Sequence, residues 1–133
     1  MATPCLARLV LSLLLFGCGT TQPSPALTRD ASGVVYKETE LDRPVRPIDI
    51  PTPEYPRDLQ GLGAEGHVQL EYIVGPDGRV EPASIRVMSS TYSGFGAEAA
   101  KSIRAAVFQP AVKHGKYVRA KVQQLITFQV SNH

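Results

Sequence analysis

Two stretches of alternating apolar and polar residues near the middle of the chain predict a β-hairpin. Residues 67–74 place every second residue on one apolar face, which is the period of a half-buried strand. Residues 75–78, Gly-Pro-Asp-Gly, have the composition of a tight turn. Residues 79–88 make the second predicted strand, in which Pro82 implies a bulge or an irregular start.

Helical patterns lie on both sides of this hairpin. Between residues 95 and 107, four apolar residues spaced four apart make one stripe of an amphipathic helix, which Pro110 ends. Before the hairpin, Pro56 suits the first position of a short helix that continues through residues 57–60, because a missing N–H does no harm there. The pattern therefore predicts one helix before the hairpin and a longer one after it.

The last segment has the most regular pattern in the chain. Residues 118–130 alternate almost throughout, which predicts a strand more than twice the mean length of about 5–6 residues. We expect so long a strand to outreach its partner and leave unpaired N–H and C=O groups at an edge. The order helix, strand, strand, helix, strand predicts an α+β fold, with two helices on one face of a three-stranded antiparallel sheet.

The first residues are typical of a targeting segment. Arg8, the apolar run 9–16 and the small residue Gly17 predict a secretory signal peptide over residues 1–17. The run is too short to cross a bilayer, which takes about 20 residues. Residues 15–18, Leu-Phe-Gly-Cys, resemble the lipobox of bacterial lipoproteins, so Cys18 is the predicted lipidation site. A plain signal peptide cut elsewhere and a buried helix of the fold are the alternatives.

Residues 18–50 are predicted to be a tether between the lipid and the folded domain, residues 51–133. The segment is rich in proline and carries mixed charges, which favours an extended and solvated chain. Its few apolar residues are scattered. The alternative is that residues 33–37 pair as an extra strand.

Composition argues against several classes of function. The 14 basic and 12 acidic residues give a net charge of +2, too balanced for a nucleic-acid-binding protein. Neither cysteine belongs to a C-x-x-C or Cys/His cluster, so no metal site is predicted. None of the three histidines stands with an acid and a nucleophile in a recognisable order. We therefore predict a protein that is not an enzyme, with no catalytic residue and no cofactor.

The charges are distributed unevenly along the predicted domain. Between Pro51 and Glu98 there are seven acidic residues and three arginines, whereas six basic residues and no acid follow Glu98. A locally positive last strand favours a peptide of acidic character. The alternative is that these lysines and arginines are solvated, or protect the edge strand from aggregation.

Six short motifs, in order and spacing, resemble the TonB C-terminal domain over residues 51–130. They are Pro53-Glu54-Tyr55-Pro56, Glu65-Gly66-His67-Val68, Val74-Gly75-Pro76-Asp77-Gly78-Arg79-Val80, Phe108-Gln109-Pro110-Ala111, Gly115 and Ile126-Thr127-Phe128. The resemblance implies a periplasmic domain of a Gram-negative bacterium that binds the N-terminal segment of an outer-membrane transporter, the TonB box. In that family the segment adds as a strand beside the last strand of the domain.

This resemblance also implies where the peptide binds. The expected peptide-binding residues are Thr52, Glu54, Tyr55, Arg119, Lys121, Val122, Gln123, Gln124, Leu125, Ile126, Thr127 and Phe128. Typical transducers begin with a membrane-spanning helix, which a lipid anchor replaces here, so energy transduction is not carried over. The alternative function is an envelope lipoprotein that uses the same fold for another peptide, or for self-association through the exposed edge.

Overall fold

A computed structural model describes residues 27–131 of the chain. Two α-helices and eight β-strands lie in that range, with short 3₁₀ helices at Glu38–Glu40 and Pro82–Ser84. The helices and strands are β1 (Thr28–Arg29), β2 (Val35–Lys37), β3 (Arg46–Asp49), α1 (Arg57–Gly61), β4 (Gly66–Val74), β5 (Arg86–Ser90), α2 (Ser93–Arg104), β6 (Val107–Gln109), β7 (Ala111–Lys113) and β8 (Lys116–Phe128). None of these helices is long and apolar enough to span a bilayer.

The long strand β8 organises the main sheet. It pairs antiparallel with β4 over nine residues, from Ala120 opposite Val74 to Phe128 opposite Gly66. The hairpin partner β7 continues that side of β8 up to the turn at His114 and Gly115, whose φ angles of 51° and 71° suit a two-residue hairpin turn. The strand β5 pairs antiparallel with the other side of β4.

One face of this sheet carries the hydrophobic core. Alternate residues of β4, from Val68 to Val74, are buried there and form one cluster with Phe95, Ala99 and Ile103 on the inner stripe of α2. Each large side chain of this kind stabilises the fold by about 1.5–3 kcal/mol when it leaves water. The α+β class and the helix over the sheet agree with the sequence prediction.

Two predicted elements are shorter than their patterns suggested. The second strand of the hairpin is regular only over β5, because the chain forms a 3₁₀ turn at Pro82–Ser84 before it. The helix α2 stops at Arg104, so Val107 belongs to β6 and not to the helical stripe. Here the Phe108 N–H donates to the Gly78 carbonyl at 2.9 Å, which holds β6 against the 75–78 turn. A tertiary contact therefore overrides the helical period.

The largest difference from the sequence prediction lies in residues 28–49, which were expected to form a solvated tether. In the structure β1 and β2 pair parallel with β8, and β3 pairs antiparallel with β6, so the sheets contain more strands than three. The alternative of a strand within residues 33–37 is the one observed. Three scattered apolar residues, Tyr36, Leu41 and Val45, explain the docking because they pack on the small core formed by Ala111, Val118 and Ala120. The predicted signal peptide and Cys18 lie outside the described residues.

Candidate functional site

The backbone of β8 presents hydrogen-bonding groups to two sides. On the β4 side, the Glu81 N–H donates to the Ile73 carbonyl at 2.9 Å, so Ile73 points its backbone away from β8. Ile73 stands opposite Lys121. Because hydrogen-bonded and non-hydrogen-bonded pairs alternate in an antiparallel ladder, the even-numbered residues of β8 are the ones that bond to β4. The odd-numbered residues direct their N–H and C=O groups to the opposite side.

The first half of that opposite side is occupied by the chain itself. The Asp30 N–H donates to the Tyr117 carbonyl at 2.8 Å, next to the parallel pairing of β1. The strand β2 then pairs parallel with residues 119–121. We call residues 116–121 on this side of β8 the covered half, and residues 122–128 on the same side the open half.

The open half has no strand beside it in the described part of the chain. Its outward backbone groups belong to Gln123, Leu125 and Thr127, and the Leu125 side chain is 62% exposed. Such a row of unpaired N–H and C=O groups is a template for another extended chain. The expected reason for the edge is wrong, however. β8 does not outreach its partner, because β4 and β7 together pair with every residue of it except Arg119. The open groups lie on the opposite side of the strand.

Arg119 holds the N-terminal segment beside the covered half. Its guanidinium donates to both Glu81 carboxylate oxygens, with Nε 2.7 Å from Oε2 and Nη2 2.6 Å from Oε1. The remaining nitrogen, Nη1, donates to the Gly33 carbonyl at 2.6 Å, just before β2 begins. The hydrogen bonds to Glu81 raise the pKa of Arg119. This predicted peptide-binding residue is therefore engaged by the protein's own chain.

Polar side chains mark the junction of the two halves on the outer face of the sheet. Gln123 Nε2 donates to Glu71 Oε2 at 3.1 Å, and Lys121 Nζ lies 3.4 Å from Glu71 Oε1. The hydrogen bond from Gln123, followed by the charge of Lys121, lowers the pKa of the Glu71 carboxyl. The three side chains and Lys37 surround a shallow depression beside the edge.

A cavity lies at the same junction on the core face of the sheet. Its volume is about 200 Å³, and its floor includes Tyr72 and Phe108. The Tyr72 hydroxyl donates to Gln124 Oε1 at 2.7 Å. Burial raises the pKa of Tyr72 to about 12. The walls are Leu41, Val45, Pro47, Ile50 and Val122.

An aromatic cluster closes the far end of the open half. Phe128 is buried and stacks on Phe95 of α2 with ring centroids 4.4 Å apart. Tyr55 meets both rings edge to face, at 5.8 Å from Phe128 and 5.4 Å from Phe95, and its hydroxyl donates to the Ala64 carbonyl. Burial, together with the charge of Glu65, raises the pKa of Tyr55. These two predicted site residues support the end of the strand from inside the core.

The structure thus divides the predicted peptide-binding residues into separate groups. Gln123, Leu125 and Thr127 face the open half with their backbones, whereas Val122, Gln124 and Ile126 turn their side chains to the core face and bond to β4. Thr52 and Glu54 do not join them, because they line a groove against α2, where Glu54 lies 3.9 Å from Lys101. Arg119 and Lys121 belong to the covered half.

The positive character expected for the last strand is largely neutralised. Of the six basic residues after Glu98, four make salt bridges with acidic residues from earlier in the chain. They are Lys101, Lys113, Arg119 and Lys121. Exposed pairs of this kind contribute only about 0–1 kcal/mol each to stability. The described residues hold no cluster of three metal-ligating side chains.

Sequence reasoning missed the residues that wall the cavity. Leu41, Val45 and Ile50 fall in the segment interpreted as a tether, where their scattered spacing gives neither a helical nor a strand period. The available signal was that apolar residues recur in a segment otherwise rich in proline and charge. Only the docking of this segment on β6, β7 and β8 gives them a common surface.

Comparisons with known proteins agree with this architecture. The family described as the Gram-negative bacterial TonB protein C-terminal matches residues 51–130. The chain is 30% identical over 90 residues to Protein TonB of Pseudomonas aeruginosa, a match that covers 67% of this chain and 26% of that protein. The chain thus spans about a quarter of the length of this curated relative.

Two solved structures share the fold. The solution NMR structure of the Pseudomonas aeruginosa TonB C-terminal domain superposes with a TM-score of 0.57 at 28% identity, covering 67% of this chain and 89% of that one. The TonB2 protein of Vibrio anguillarum superposes with a TM-score of 0.51 at 19% identity, covering 83% and 95%. The second likeness concerns the fold alone.

Proposed function

Since the chain belongs to the TonB C-terminal family, we propose that its open half binds the N-terminal box of an outer-membrane transporter by strand addition. The observation that carries this proposal is the row of backbone groups at Gln123, Leu125 and Thr127 that no described strand pairs with. An extended peptide would satisfy these groups and make main-chain hydrogen bonds worth about 0.5–1.5 kcal/mol each. The role is one of binding and not of catalysis, in connection with TonB-dependent transport.

The experiment that tests this function uses two substitutions of one residue. Leu125→Pro removes an N–H from the open half, whereas Leu125→Ala keeps it and changes only an exposed side chain. We expect the proline variant to bind a synthetic transporter N-terminal peptide about tenfold more weakly, and the alanine variant to bind it nearly as the parent does. Fluorescence anisotropy measures the affinity and circular dichroism checks folding. A folded proline variant with unchanged affinity would contradict strand addition.

The proposed location of the domain is the periplasm of a Gram-negative bacterium, with a lipid on Cys18 as the membrane anchor. This part rests on residues 1–18 of the sequence, where a short apolar run precedes the lipobox-like Leu-Phe-Gly-Cys. Mass spectrometry of the mature protein should find an acylated Cys18. Cys18→Ser should leave an uncleaved precursor or move the protein to the soluble fraction. An unmodified Cys18 in the mature wild-type chain would contradict the anchor.

The proposal covers peptide binding and leaves energy transduction out, since the anchor proposed at Cys18 is a lipid and not a spanning helix. We expect this chain not to restore energy-dependent uptake in cells that lack their own transducer. Full restoration would contradict that expectation.

Self-association through the same edge is the second candidate, and the exposed Leu125 side chain on the open half favours it. Two copies paired by their open halves would bury this residue. A doubled mass in sedimentation analysis that the Leu125→Pro variant loses would support it over peptide binding.

A further inference from the structure

Residues 28–37, which we call the strap, occupy the covered half as two short pieces of strand. The first piece, β1, pairs parallel with residues 116–117, and the second, β2, pairs parallel with residues 119–121. Residues 30–34 connect the two pieces, whereas on β8 only Val118 separates their partners. The strap therefore leaves the edge of β8 between its two pieces and does not follow it as one strand.

A local turn accounts for this interruption. The Asp30 carboxylate accepts hydrogen bonds from the Ser32 N–H at 3.1 Å and from the Ser32 hydroxyl at 2.6 Å. That hydroxyl accepts in turn from the Val34 N–H at 3.3 Å. Gly33 has a φ of 78°, in the left-handed region that favours glycine. Because the turn satisfies its polar groups locally, residues 31–34 add no paired residue to the covered half.

Little apolar contact holds the strap on the sheet. Both residues of β1 are exposed, and Val34 is 48% exposed. Within the strap, Tyr36 alone packs on a buried core cluster of the described residues. Segments with few buried apolar contacts are the ones that open at the lowest free energy. The strap is therefore the part of the edge that we expect to detach first.

The chain that follows the strap is fixed more firmly. Asp42 and Arg43 donate their N–H groups to the Val112 carbonyl at 2.9 and 3.1 Å, and the Val112 N–H donates back to the Arg43 carbonyl at 2.9 Å. Between these bonds and the strap lies the 3₁₀ helix Glu38–Glu40, whose three residues are exposed. The strap can therefore leave the edge at this helix while the chain beyond it stays docked.

The side chain that joins the strap to the sheet recognises backbone and not sequence. Two nitrogens of Arg119 donate to Glu81, at 2.7 and 2.6 Å, and the third, Nη1, donates to the Gly33 carbonyl at 2.6 Å. Every extended chain carries such carbonyl groups. The paired hydrogen bonds to Glu81 therefore orient Arg119 to receive a carbonyl from whichever chain lies beside it.

We propose that the covered half is a second part of the peptide site, and that the strap occupies it as an internal substitute that a longer partner strand displaces. The inference rests on the proposed function, the binding of an extended transporter segment to the open half, and adds regulation to it. A partner that spans only residues 122–128 binds beside the strap. A partner that continues over residues 116–121 has to detach the strap.

Continuity of the edge favours one extended strand as the occupant of both halves. The odd-numbered residues of β8 direct their N–H and C=O groups to this side in both halves, three residues in each. The strap meets one half with two separate pieces, whereas a partner strand without a turn meets all six residues in register. The exchange leaves β8 paired, because the incoming strand replaces the hydrogen bonds that the strap gives up.

The first test compares two synthetic peptides on the full-length protein. Both begin with glutamate and alternate threonine with valine; one has seven residues, to match residues 122–128, and the other has thirteen, the length of β8. Amide hydrogen exchange is measured with each peptide at saturation. The long peptide should accelerate exchange at residues 35–37 by about tenfold or more, because these amides leave the sheet. The short peptide should leave that exchange unchanged.

A matched pair of glycine substitutions tests whether the strap limits affinity. Gly33 and Gly63 have φ angles of 78° and 63°, and a Cβ at either would meet no atom within 4 Å. Alanine strains both left-handed positions alike, but only Gly33 belongs to the strap. Gly33→Ala should tighten binding of the long peptide about five- to tenfold and change that of the short one less than about twofold, since a weaker strap frees the covered half more often. Gly63→Ala should change neither affinity, as fluorescence anisotropy of labelled peptides measures.

The outcomes separate displacement of the strap from strand addition itself. Binding of both peptides with unchanged exchange at residues 35–37 overturns displacement and leaves strand addition to the open half in place. Long-peptide affinity that Gly33→Ala leaves unchanged, or that Gly63→Ala raises equally, also overturns displacement alone. Binding of neither peptide, by the parent or by Gly33→Ala, overturns both claims. The exchange measurement on the parent protein stands if either variant fails to fold.

Discussion

The covered and open halves of the β8 edge belong to one strand with one alternating pattern, and yet only one of them is available to a partner. In the covered half, β1 and β2 satisfy the backbone and Arg119 joins Gly33 to Glu81. In the open half, the outward groups of Gln123, Leu125 and Thr127 pair with no strand among residues 27–131. The two halves differ because the N-terminal segment leaves the edge after Lys37 and crosses to the core face. Edge availability is therefore set by a neighbouring segment and not by the strand itself.

The largest expected effect is a difference in stability between substitutions on the two sides of β8. Gln124→Pro removes an N–H that bonds to β4 and disturbs the bond from Tyr72, so it should lower the free energy of unfolding by more than about 3 kcal/mol. Leu125→Pro removes an outward N–H and should cost less than about 1 kcal/mol. Urea denaturation followed by circular dichroism compares the variants. Equal losses would contradict the assignment of even and odd residues to opposite sides.

High pH should weaken the junction of the two halves through Tyr72. Its pKa is raised from 10.0 in the unfolded chain to about 12 by burial, so the folded state holds the proton more tightly. The stabilisation is complete below pH 10 and is lost as the pH rises through the folded pKa, by roughly 2–3 kcal/mol. Tyr72→Phe should abolish this part of the pH dependence. Denaturation measured between pH 9 and about 12 checks it, and an identical slope in the phenylalanine variant would contradict it.

Breaking the closure of the covered half should have a moderate effect. Arg119→Ala removes the hydrogen bonds to Glu81 and to the Gly33 carbonyl and should cost about 1 kcal/mol of stability. The substitution should accelerate amide hydrogen exchange in residues 35–37 more than in β4, because the parallel pairing of β2 opens first. Lys113→Ala, which removes a 3.9 Å salt bridge to Asp42, is the control. Unchanged exchange in β2 would show that pairing alone holds the covered half.

The smallest expected effect concerns Glu71 on the outer face. Its pKa is lowered below the usual 4.5, first by the hydrogen bond from Gln123 and then by the charge of Lys121. The resulting stabilisation is present above pH 4.5 and is lost as the pH falls through the folded pKa. NMR titration of the carboxyl should give a midpoint below 4.5, and Gln123→Leu should move it upward. If Gln123→Leu leaves the midpoint unchanged, the charge of Lys121 is what lowers the pKa of Glu71.

Alternation and local turn chemistry made much of the domain predictable. The strand β4, the long strand β8 and the stripe of α2 follow directly from periods of two and of about four residues. The family resemblance over residues 51–130 was likewise carried by short turn and strand motifs and is confirmed. The docking of residues 28–49 was not predictable in this way. Its strand pairings join residues more than 55 positions apart, such as Asp49 with Val107 and Tyr36 with Ala120.

The sequence by itself determined which residues of β8 face the core, because side-chain parity is a local property of a strand. It also determined that the last strand would be the candidate site. Tertiary structure decided which backbone groups of that strand stay unpaired, since this depends on where β4, β7 and β2 end along it. Tertiary structure also created the cavity, because Leu41 and Val122 line the same wall only after two segments distant in sequence pack together. Whether a backbone group at the edge of a strand is paired depends on the strands beside it, and the fold determines which strands those are.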